Sequence, residues 1–225
     1  MNFDSFVLAA STASLDDEPV ARDHADAIEF RMDLAADPVP ALREYDGELP
    51  IIATNRAEWE GGEAPENGRL EALSTAAELP AVEAIDVELN SLATQQGKET
   101  AASARAEGVS VIASTHDFER TPSAADLRKL LRRATNRGDV GKLAVTARST
   151  RDVLDLLGAT EAFSARGQTV ATMAMGEQGR HSRAVAPVYG SAIGYAPVDP
   201  ADATAPGQYD LSTLRRLVDD LRAEE

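Results

Sequence analysis

The chain has 225 residues and is strongly acidic, with 38 acidic residues against 22 basic ones and a formal net charge of -16. This length suits one domain, since barrel domains reach about 250 residues. A chain so acidic repels nucleic acid and anionic membranes, which bind basic surfaces. Cysteine is absent, which excludes disulfides, thiolate metal sites and cysteine nucleophiles and fits a reducing compartment.

The sequence carries no sign of export or membrane insertion. No apolar run approaches the ~20 residues that cross a bilayer, and no basic segment precedes an apolar stretch at the N-terminus. We therefore expect a cytoplasmic protein. Only three basic residues are lysines, namely Lys98, Lys129 and Lys142. High acidity with scarce lysine favours a protein adapted to strong salt, which screens self-repulsion; an ordinary acidic cytosolic protein is the alternative.

Eight short apolar segments alternate with longer polar stretches along the chain. They are near-continuous apolar runs rather than strict alternations, a pattern typical of parallel strands covered on both faces. The predicted strands are 6–11, 27–32, 49–55, 84–89, 110–115, 142–147, 169–175 and 191–196.

Amphipathic stretches between these segments predict helices, with apolar residues on one face and charged residues elsewhere. The segment 91–107 is polar and rich in alanine, so we expect an exposed helix there. Asp210 or Ser212 is placed to cap the last helix. The predicted helices cover 91–107, 123–137, 151–160 and 211–221.

Strand–helix alternation predicts right-handed βαβ units and a parallel sheet. Eight such units favour a (β/α)8 TIM barrel formed by residues 1–225 as a single domain; an open doubly wound sheet is the alternative. No glycine-rich phosphate-binding motif follows the first strand, which argues against a nucleotide-binding sheet. The loops 61–68 and 196–207 follow strands and are therefore expected on the catalytic face.

Polar residues gather at the carboxyl ends of the predicted strands, where barrel enzymes hold their reactive groups. In the second strand Glu29, Arg31 and Asp33 alternate and so share one side. An interior salt-bridge layer is the plain alternative for such a set. The other candidates along the chain are Arg56, Asp86, Glu88, His116, Lys142, Arg183, Thr204 and Gln208. No role is assigned to His24 or His181.

Lys142 is the sharpest candidate, because it precedes an apolar run and so points into the barrel. A buried lysine is costly unless it is paired or neutral. Among the neighbouring cations Arg31, Arg56 and Arg183 its pKa should be lowered, which makes it a nucleophile toward a ketone. A nearby histidine, His116, can then remove an adjacent proton. Arginines would hold an anionic substrate through bidentate contacts.

The motifs in which these residues lie resemble those of a known family, the type I 3-dehydroquinate dehydratases, which are Schiff-base enzymes of the shikimate pathway in aromatic amino acid biosynthesis. The resemblance covers almost the whole chain, with the motifs in the family's order. They are EFRMD (29–33), TNRAEWEGG (54–62), IDVEL (85–89), STHDF (114–118), GKLAV (141–145), MAMGEQGRHSR (173–183), GSAIGYA (190–196) and APGQ (205–208).

The resemblance implies a role for each matched residue. Lys142 forms the imine with the ketone of 3-dehydroquinate, and His116 acts as base and then as acid. Substrate contacts fall to Ser11, Glu29, Arg31, Arg56, Arg183, Thr204 and Gln208. Supporting roles fall to Glu60, which orients the histidine, and to Asp86, Glu88, Phe118, Met173 and Met175. The resemblance also implies that no metal or organic cofactor is needed and that the chain forms a homodimer.

Two departures from the family and two rival functions stay open at this level. Many bacterial members carry an N-terminal hairpin before the first strand, which is not expected here, so how the barrel bottom is sealed is an open question. Thr204 stands where serine is usual. A class I aldolase-type barrel lyase would also use a strand lysine, and a barrel that binds without catalysis is the second rival.

Overall fold

The computed structural model describes residues 1–199, 201 and 207–222. Within this part of the chain, eight strands alternate with eight helices. The strands are β1 (Val7–Thr12), β2 (Ala27–Arg31), β3 (Ile51–Thr54), β4 (Val82–Glu88), β5 (Ser110–Asp117), β6 (Val140–Thr146), β7 (Val170–Met175) and β8 (Ile193–Pro197). The helices are α1 (Glu18–Ala21), α2 (Pro38–Glu44), α3 (Arg69–Ala77), α4 (Gln95–Ala106), α5 (Ala124–Thr135), α6 (Thr150–Ser164), α7 (Ser182–Val185) and α8 (Leu211–Arg222).

All eight strands are parallel neighbours in one sheet, in the order β7-β6-β5-β4-β3-β2-β1-β8. The seam between β7 and β8 is closed by a single parallel bridge between Val170 and Ser191. The Ser191 hydroxyl adds to it by accepting a hydrogen bond from the Thr172 amide at 2.9 Å. The (β/α)8 barrel predicted from the strand–helix alternation is confirmed, and the open doubly wound sheet is wrong.

The inward faces of the strands change from apolar to polar along their length. Residues two apart in a strand share a face, so buried Ala27 precedes Glu29 in β2, and buried Val140 precedes Lys142 in β6. An interior apolar cluster fills the lower half of the barrel. The charged side chains of the barrel interior therefore lie in the carboxyl-end half.

The N-terminal residues lie across the bottom of the barrel. Met1 and Phe3 pack against the interior apolar cluster. The amino group of Met1 forms an ion pair with Glu83 at 3.0 Å, and its carbonyl accepts a hydrogen bond from Ser110 at 3.3 Å. Both partners lie at the starts of β4 and β5. These contacts answer how the bottom is closed, and residues 1–6 carry no strand.

Caps define the helix ends near the sequence-predicted positions. Ser149 and Asp152 form a capping box at the start of α6, and Asp210 accepts a hydrogen bond from the Thr213 amide at 2.9 Å before α8. The prediction of an exposed helix at 91–107 is wrong for one face, because Thr100 and Ala104 of α4 are buried. Small residues allow that face to lie close against α3. Among the described residues, no helix is both long and apolar enough to cross a bilayer.

Candidate active site

One pocket opens at the carboxyl ends of the strands. Most of the side chains singled out in the sequence line it, together with several that were not. The lining residues are Ser11, Glu29, Arg31, Thr54, Arg56, Glu60, Gly61, His116, Phe118, Lys142, Ala144, Met173, Met175, Arg183, Tyr195 and Gln208. Asp86 and Glu88 are fully buried beneath these residues, and Thr204 lies outside the described residues.

Lys142 lies at the centre of the pocket. It is the third residue of β6, which begins two residues earlier than the sequence predicts, and its side chain is 5% exposed. Its Nζ lies 2.8 Å from Asp86 Oδ2 and 3.4 Å from Glu29 Oε1. The Tyr195 ring covers the same nitrogen, with 3.9 Å between Nζ and the ring centroid. The lysine is thus surrounded by groups that favour a positive charge.

The sequence-based expectation of a lowered lysine pKa is wrong. Burial does lower the pKa of Lys142, but the carboxylates of Asp86 and Glu29 outweigh burial, so the pKa lies above its usual value. Arg56 opposes them only weakly, since its own charge is already paired. Lys142 is therefore an ammonium group in the substrate-free site, and it must release a proton before it can attack a carbonyl.

Two arginines near the lysine are neutralised by carboxylates. Arg31 forms a two-point pair with Asp33, with distances of 2.9 and 2.6 Å. Arg56 pairs with Asp86 at 2.8 Å and with Glu88 at 3.3 Å. Positive and negative side chains therefore alternate in the site, which is not the cationic pocket that the sequence suggested. The interior salt-bridge layer, the plain alternative considered for these residues, is present alongside the pocket.

Arg69 extends this row of paired charges beyond Glu88, on the side of the row away from Lys142. The sequence analysis did not find this residue. Its side chain is fully buried, and it pairs with Glu88 at 2.7 Å and donates to the Ser91 hydroxyl at 2.9 Å. The other oxygen of Glu88 accepts from the Ala57 amide at 3.0 Å and contacts Arg56. Arg69 follows a polar loop at the start of α3, and nothing in that loop distinguishes it from a solvated residue.

Arg183 differs from Arg31 and Arg56 because no carboxylate among the described residues pairs with it. It lies on the short helix α7 and is only 5% exposed. Its Nε and Nη2 atoms are buried without a hydrogen-bond partner among the described groups. Burial lowers its pKa to about 10. A buried guanidinium of this kind favours an anion in the pocket, since nothing in the described part of the chain neutralises it.

His116 forms a pair with Glu60. Its Nδ1 atom lies 2.9 Å from Glu60 Oε1. Burial, with the charges of Arg56 and Lys142, lowers the pKa of His116 well below its usual value. Burial also raises the pKa of Glu60 to about 8, although Arg56 opposes it. Near neutral pH the imidazole is neutral, and its proton position is coupled to the Glu60 carboxyl.

A tight turn places Glu60 against the histidine. The turn Glu58–Glu60 follows β3 and ends at Gly61, whose φ of 81° favours glycine. A Cβ at Gly61 would also lie 2.6 Å from the Phe118 ring. Phe118 is stacked on His116, with 5.8 Å between ring centroids and an interplanar angle of 10°. The positive φ therefore favours glycine at this position, and the absence of a side chain there leaves room for the Phe118 ring.

The remaining lining residues complete the two sides of the pocket. Glu29 accepts hydrogen bonds from Ser11 at 2.5 Å and from Thr54 at 3.1 Å. Met173 and Met175 supply an apolar side. Thr54 and Tyr195 were not found from the sequence; both belong to strands, and only alternation along β3 and β8 could have indicated their inward direction. Among the described residues, no cluster of three or more metal-binding side chains is present.

The barrel and its buried, charged carboxyl-end pocket define the chain as a (β/α)8-barrel enzyme. It belongs to the type I 3-dehydroquinase family, whose sequence profile matches residues 8–224. Membership of this family makes it a dehydratase. A 3-dehydroquinate dehydratase of the halophilic archaeon Haloarcula marismortui is 57% identical over 228 residues, covering 100% of both chains.

Solved structures of the same family share the fold. The 3-dehydroquinate dehydratase of Geobacillus kaustophilus is 27% identical, with a TM-score of 0.85 over 99% of this chain and 93% of that one. The type I enzyme of Clostridium difficile, solved with covalently modified comenic acid, is 26% identical, with a TM-score of 0.82 over 96% of this chain and 92% of that one.

Proposed function

We propose that the chain converts 3-dehydroquinate to 3-dehydroshikimate and water through an imine on Lys142, with His116 as general base and acid. The observation that carries the proposal is the position of Lys142 Nζ, which lies in the pocket 2.8 Å from Asp86 and shares that pocket with the His116–Glu60 pair and with Arg183. A nucleophile, a base and an anion-binding group are thus available to one small substrate.

Imine formation begins with a proton transfer. The Lys142 ammonium gives a proton to a neighbouring carboxylate, for which Asp86 and Glu29 are within reach. The neutral amine then adds to the ketone, and the carboxyl group returns the proton to the hydroxyl of the adduct, which leaves as water and gives an iminium. The two carboxylates that raise the lysine pKa are therefore also the nearest acceptors of the proton that it must lose.

Elimination follows at the carbon next to the iminium. His116 removes a proton there, and the C–H electron pair moves toward the nitrogen to give an enamine. The enamine pushes out the hydroxyl group, which leaves as water with the proton held by His116. Hydrolysis of the resulting iminium releases the product and restores Lys142. General acid–base catalysis of this kind contributes roughly 10²–10⁴-fold.

The other polar groups would orient the substrate. We assign the substrate carboxylate to Arg183, because it is the buried arginine that no described carboxylate neutralises. Glu29, Arg31 and Arg56 would contact the ring hydroxyls, with Ser11, Thr204 and Gln208 assisting. Asp86 and Glu88 would hold the cations in place, and Phe118, Met173 and Met175 would form the apolar side. No metal or organic cofactor takes part in this scheme.

Borohydride trapping tests the imine directly. The protein would be incubated with 3-dehydroquinate in molar KCl, reduced with sodium borohydride, and analysed by intact and peptide mass spectrometry. We expect one adduct, on Lys142. The variant Lys142→Met should give no adduct and no turnover, whereas Lys129→Met, which changes an exposed lysine of α5, should behave like the unsubstituted protein. A folded protein with turnover but no adduct would disprove the imine.

We also propose that the enzyme is a cytoplasmic homodimer. The family resemblance supports the dimer, and the absence of cysteine fits a reducing compartment. Light scattering after gel filtration in molar KCl tests the assembly, since a dimer has twice the 23.8 kDa chain mass. A mass of one chain across micromolar concentrations would contradict it.

A further inference from the structure

Tyr195 contacts the proposed nucleophile, although no motif argument gave it a role. It lies in β8, and its side chain is almost fully buried at 4% exposure. Lys142 Nζ lies 3.9 Å from the centroid of the Tyr195 ring, and both residues line the pocket. The ring therefore faces the nitrogen at which the imine would form.

A cation above an aromatic face is attracted by the negative charge density of the ring, most strongly where water is excluded. Burial raises the pKa of the Tyr195 phenol above its usual value, so the group stays neutral. The attraction therefore comes from the π face of a neutral ring and not from a phenolate. Its hydroxyl has no hydrogen-bond partner among the described groups.

The ring differs from the carboxylates in what happens to its contact during the reaction. An ammonium has three N–H donors, which allow contacts with both Asp86 and Glu29. In the iminium, Lys142 Nζ is bonded to the substrate carbon and keeps a single N–H, so it cannot keep both hydrogen bonds. Attraction to the ring needs no N–H, because it depends on the charge of the nitrogen as a whole.

We propose that Tyr195 is a further catalytic residue, whose ring face stabilises the cationic nitrogen of Lys142 in the iminium. This inference rests on the proposed imine. It assigns the stabilisation to the ring and not to the hydroxyl, so the two parts of the side chain give separate expectations. The effect of the ring should be about 2- to 30-fold in an equilibrium or rate constant, the range from exposed to desolvated cation–π contacts.

Substitution at position 195 separates the ring from the hydroxyl. Tyr195→Phe keeps the ring face and should keep kcat and the rate of borohydride trapping within about 3-fold, since only a hydroxyl is lost. Tyr195→Leu removes the ring and should lower both by about 3- to 30-fold. Circular dichroism and the thermal midpoint show whether the leucine variant is folded.

Fluorinated phenylalanines give a test that does not depend on the leucine variant folding. Fluorine withdraws charge from the ring face while nearly keeping its shape, so a series with one, two and three fluorines at position 195 should lower the trapping rate and kcat in steps. The same series at Phe6, whose ring lies 5.6 Å from the Arg222 guanidinium at the barrel bottom, is the matched control and should leave both unchanged.

The outcomes separate the inference from the proposed function. Stepwise loss at position 195, with no loss at Phe6, supports the ring. A trifluorinated variant equal to Tyr195→Phe in trapping and kcat, with adducts still on Lys142, overturns the ring contribution and leaves the imine standing. No adduct in the unsubstituted enzyme overturns the imine and the inference together.

Discussion

At the residue scale, Lys142 and His116 lie in one pocket, but their surroundings shift their pKa values in opposite directions. Nearby carboxylates raise the pKa of Lys142, whereas burial and nearby cations lower that of His116. The substrate-free site thus holds an ammonium, which must give up a proton before it can attack the ketone, and a neutral imidazole, which can accept a proton. The difference arises because Asp86 contacts the lysine directly and the histidine does not pair with it.

The Glu60–His116 pair predicts a pH dependence. When Glu60 is protonated it donates to His116 Nδ1, and the ring proton then lies on Nε2, which cannot accept another. When Glu60 is ionised it accepts from Nδ1–H, and Nε2 is free to act as a base. Because the pKa of Glu60 is about 8, we expect kcat/KM to rise with pH up to about that value and then level off.

The variant Glu60→Gln checks this assignment. It cannot ionise, so the rise near pH 8 should disappear, and kcat should fall by up to about 10²–10⁴-fold, the range of general acid–base catalysis. Glu58→Gln, at an exposed position of the same turn, is the control and should keep the normal profile. A glutamine variant that still shows the rise would assign the titration to another group.

Replacement of Arg183 should weaken substrate binding without lowering the stability of the protein. Arg183→Met removes the proposed contact with the substrate carboxylate, so KM should increase by about 10- to 100-fold, because a hydrogen bond to a charged group contributes about 1.5–3 kcal/mol. The thermal midpoint should not fall, since the variant removes a buried cation without a carboxylate partner. Arg166→Met, at an exposed position, should change neither quantity, and an unchanged KM at position 183 would contradict the contact.

At the element scale, the strands could be predicted from the sequence because each is a short apolar run between polar stretches. All eight predicted strands are present, and the polar residues at their carboxyl ends do meet in one pocket. The predicted ends of the strands were less accurate than their number: β6 begins at Val140 and not at Lys142. The buried face of α4 was missed because its alanines and threonines do not form an apolar stripe.

The join between α3 and β4 depends on the Arg69–Glu88 pair. Both side chains are fully buried, and removing one member of a buried pair costs about 3–5 kcal/mol. We therefore expect Arg69→Met to lower the free energy of unfolding by that amount, because it leaves Glu88 with an excess negative charge that also pulls on Arg56. Denaturant unfolding measures the loss, and KM reports the change at Arg56.

A second substitution separates charge from packing at this join. Glu88→Gln in the Arg69→Met background removes the unpaired charge and should restore part of the stability and of KM, so the double variant should lose less than the sum of the two single ones. Arg132→Met, at an exposed position of α5, is the control. Additive losses would mean that Arg69 acts only by filling space.

At the scale of the whole molecule, the net charge of -16 dominates. Self-repulsion opposes folding, and salt screens it as the Debye length falls from about 10 Å at 0.1 M to about 3 Å at 1 M. We expect the thermal midpoint to rise over this range of KCl. The similarity to a relative from a halophilic archaeon agrees with this expectation.

A variant with less charge distinguishes screening from a general effect of solutes. Glu107→Gln combined with Glu161→Gln removes two negative charges from exposed positions, so its thermal midpoint should depend less steeply on KCl. Sucrose, which stabilises proteins without screening charge, should raise both midpoints equally. Full stability of the unsubstituted chain in dilute buffer would contradict adaptation to salt.

The sequence by itself determined the barrel and indicated the candidate reactive side chains. Alternating runs specify strands and helices locally, and the motifs place Lys142 in β6 and His116 near the end of β5. Only the tertiary structure decided how the charges are paired. Asp86 lies 56 residues from Lys142 along the chain but 2.8 Å away across the barrel, and the Tyr195 ring reaches the same nitrogen from β8. Because electrostatic interactions depend on distance and burial, which strand register sets, the raised lysine pKa could not be derived from residue types alone.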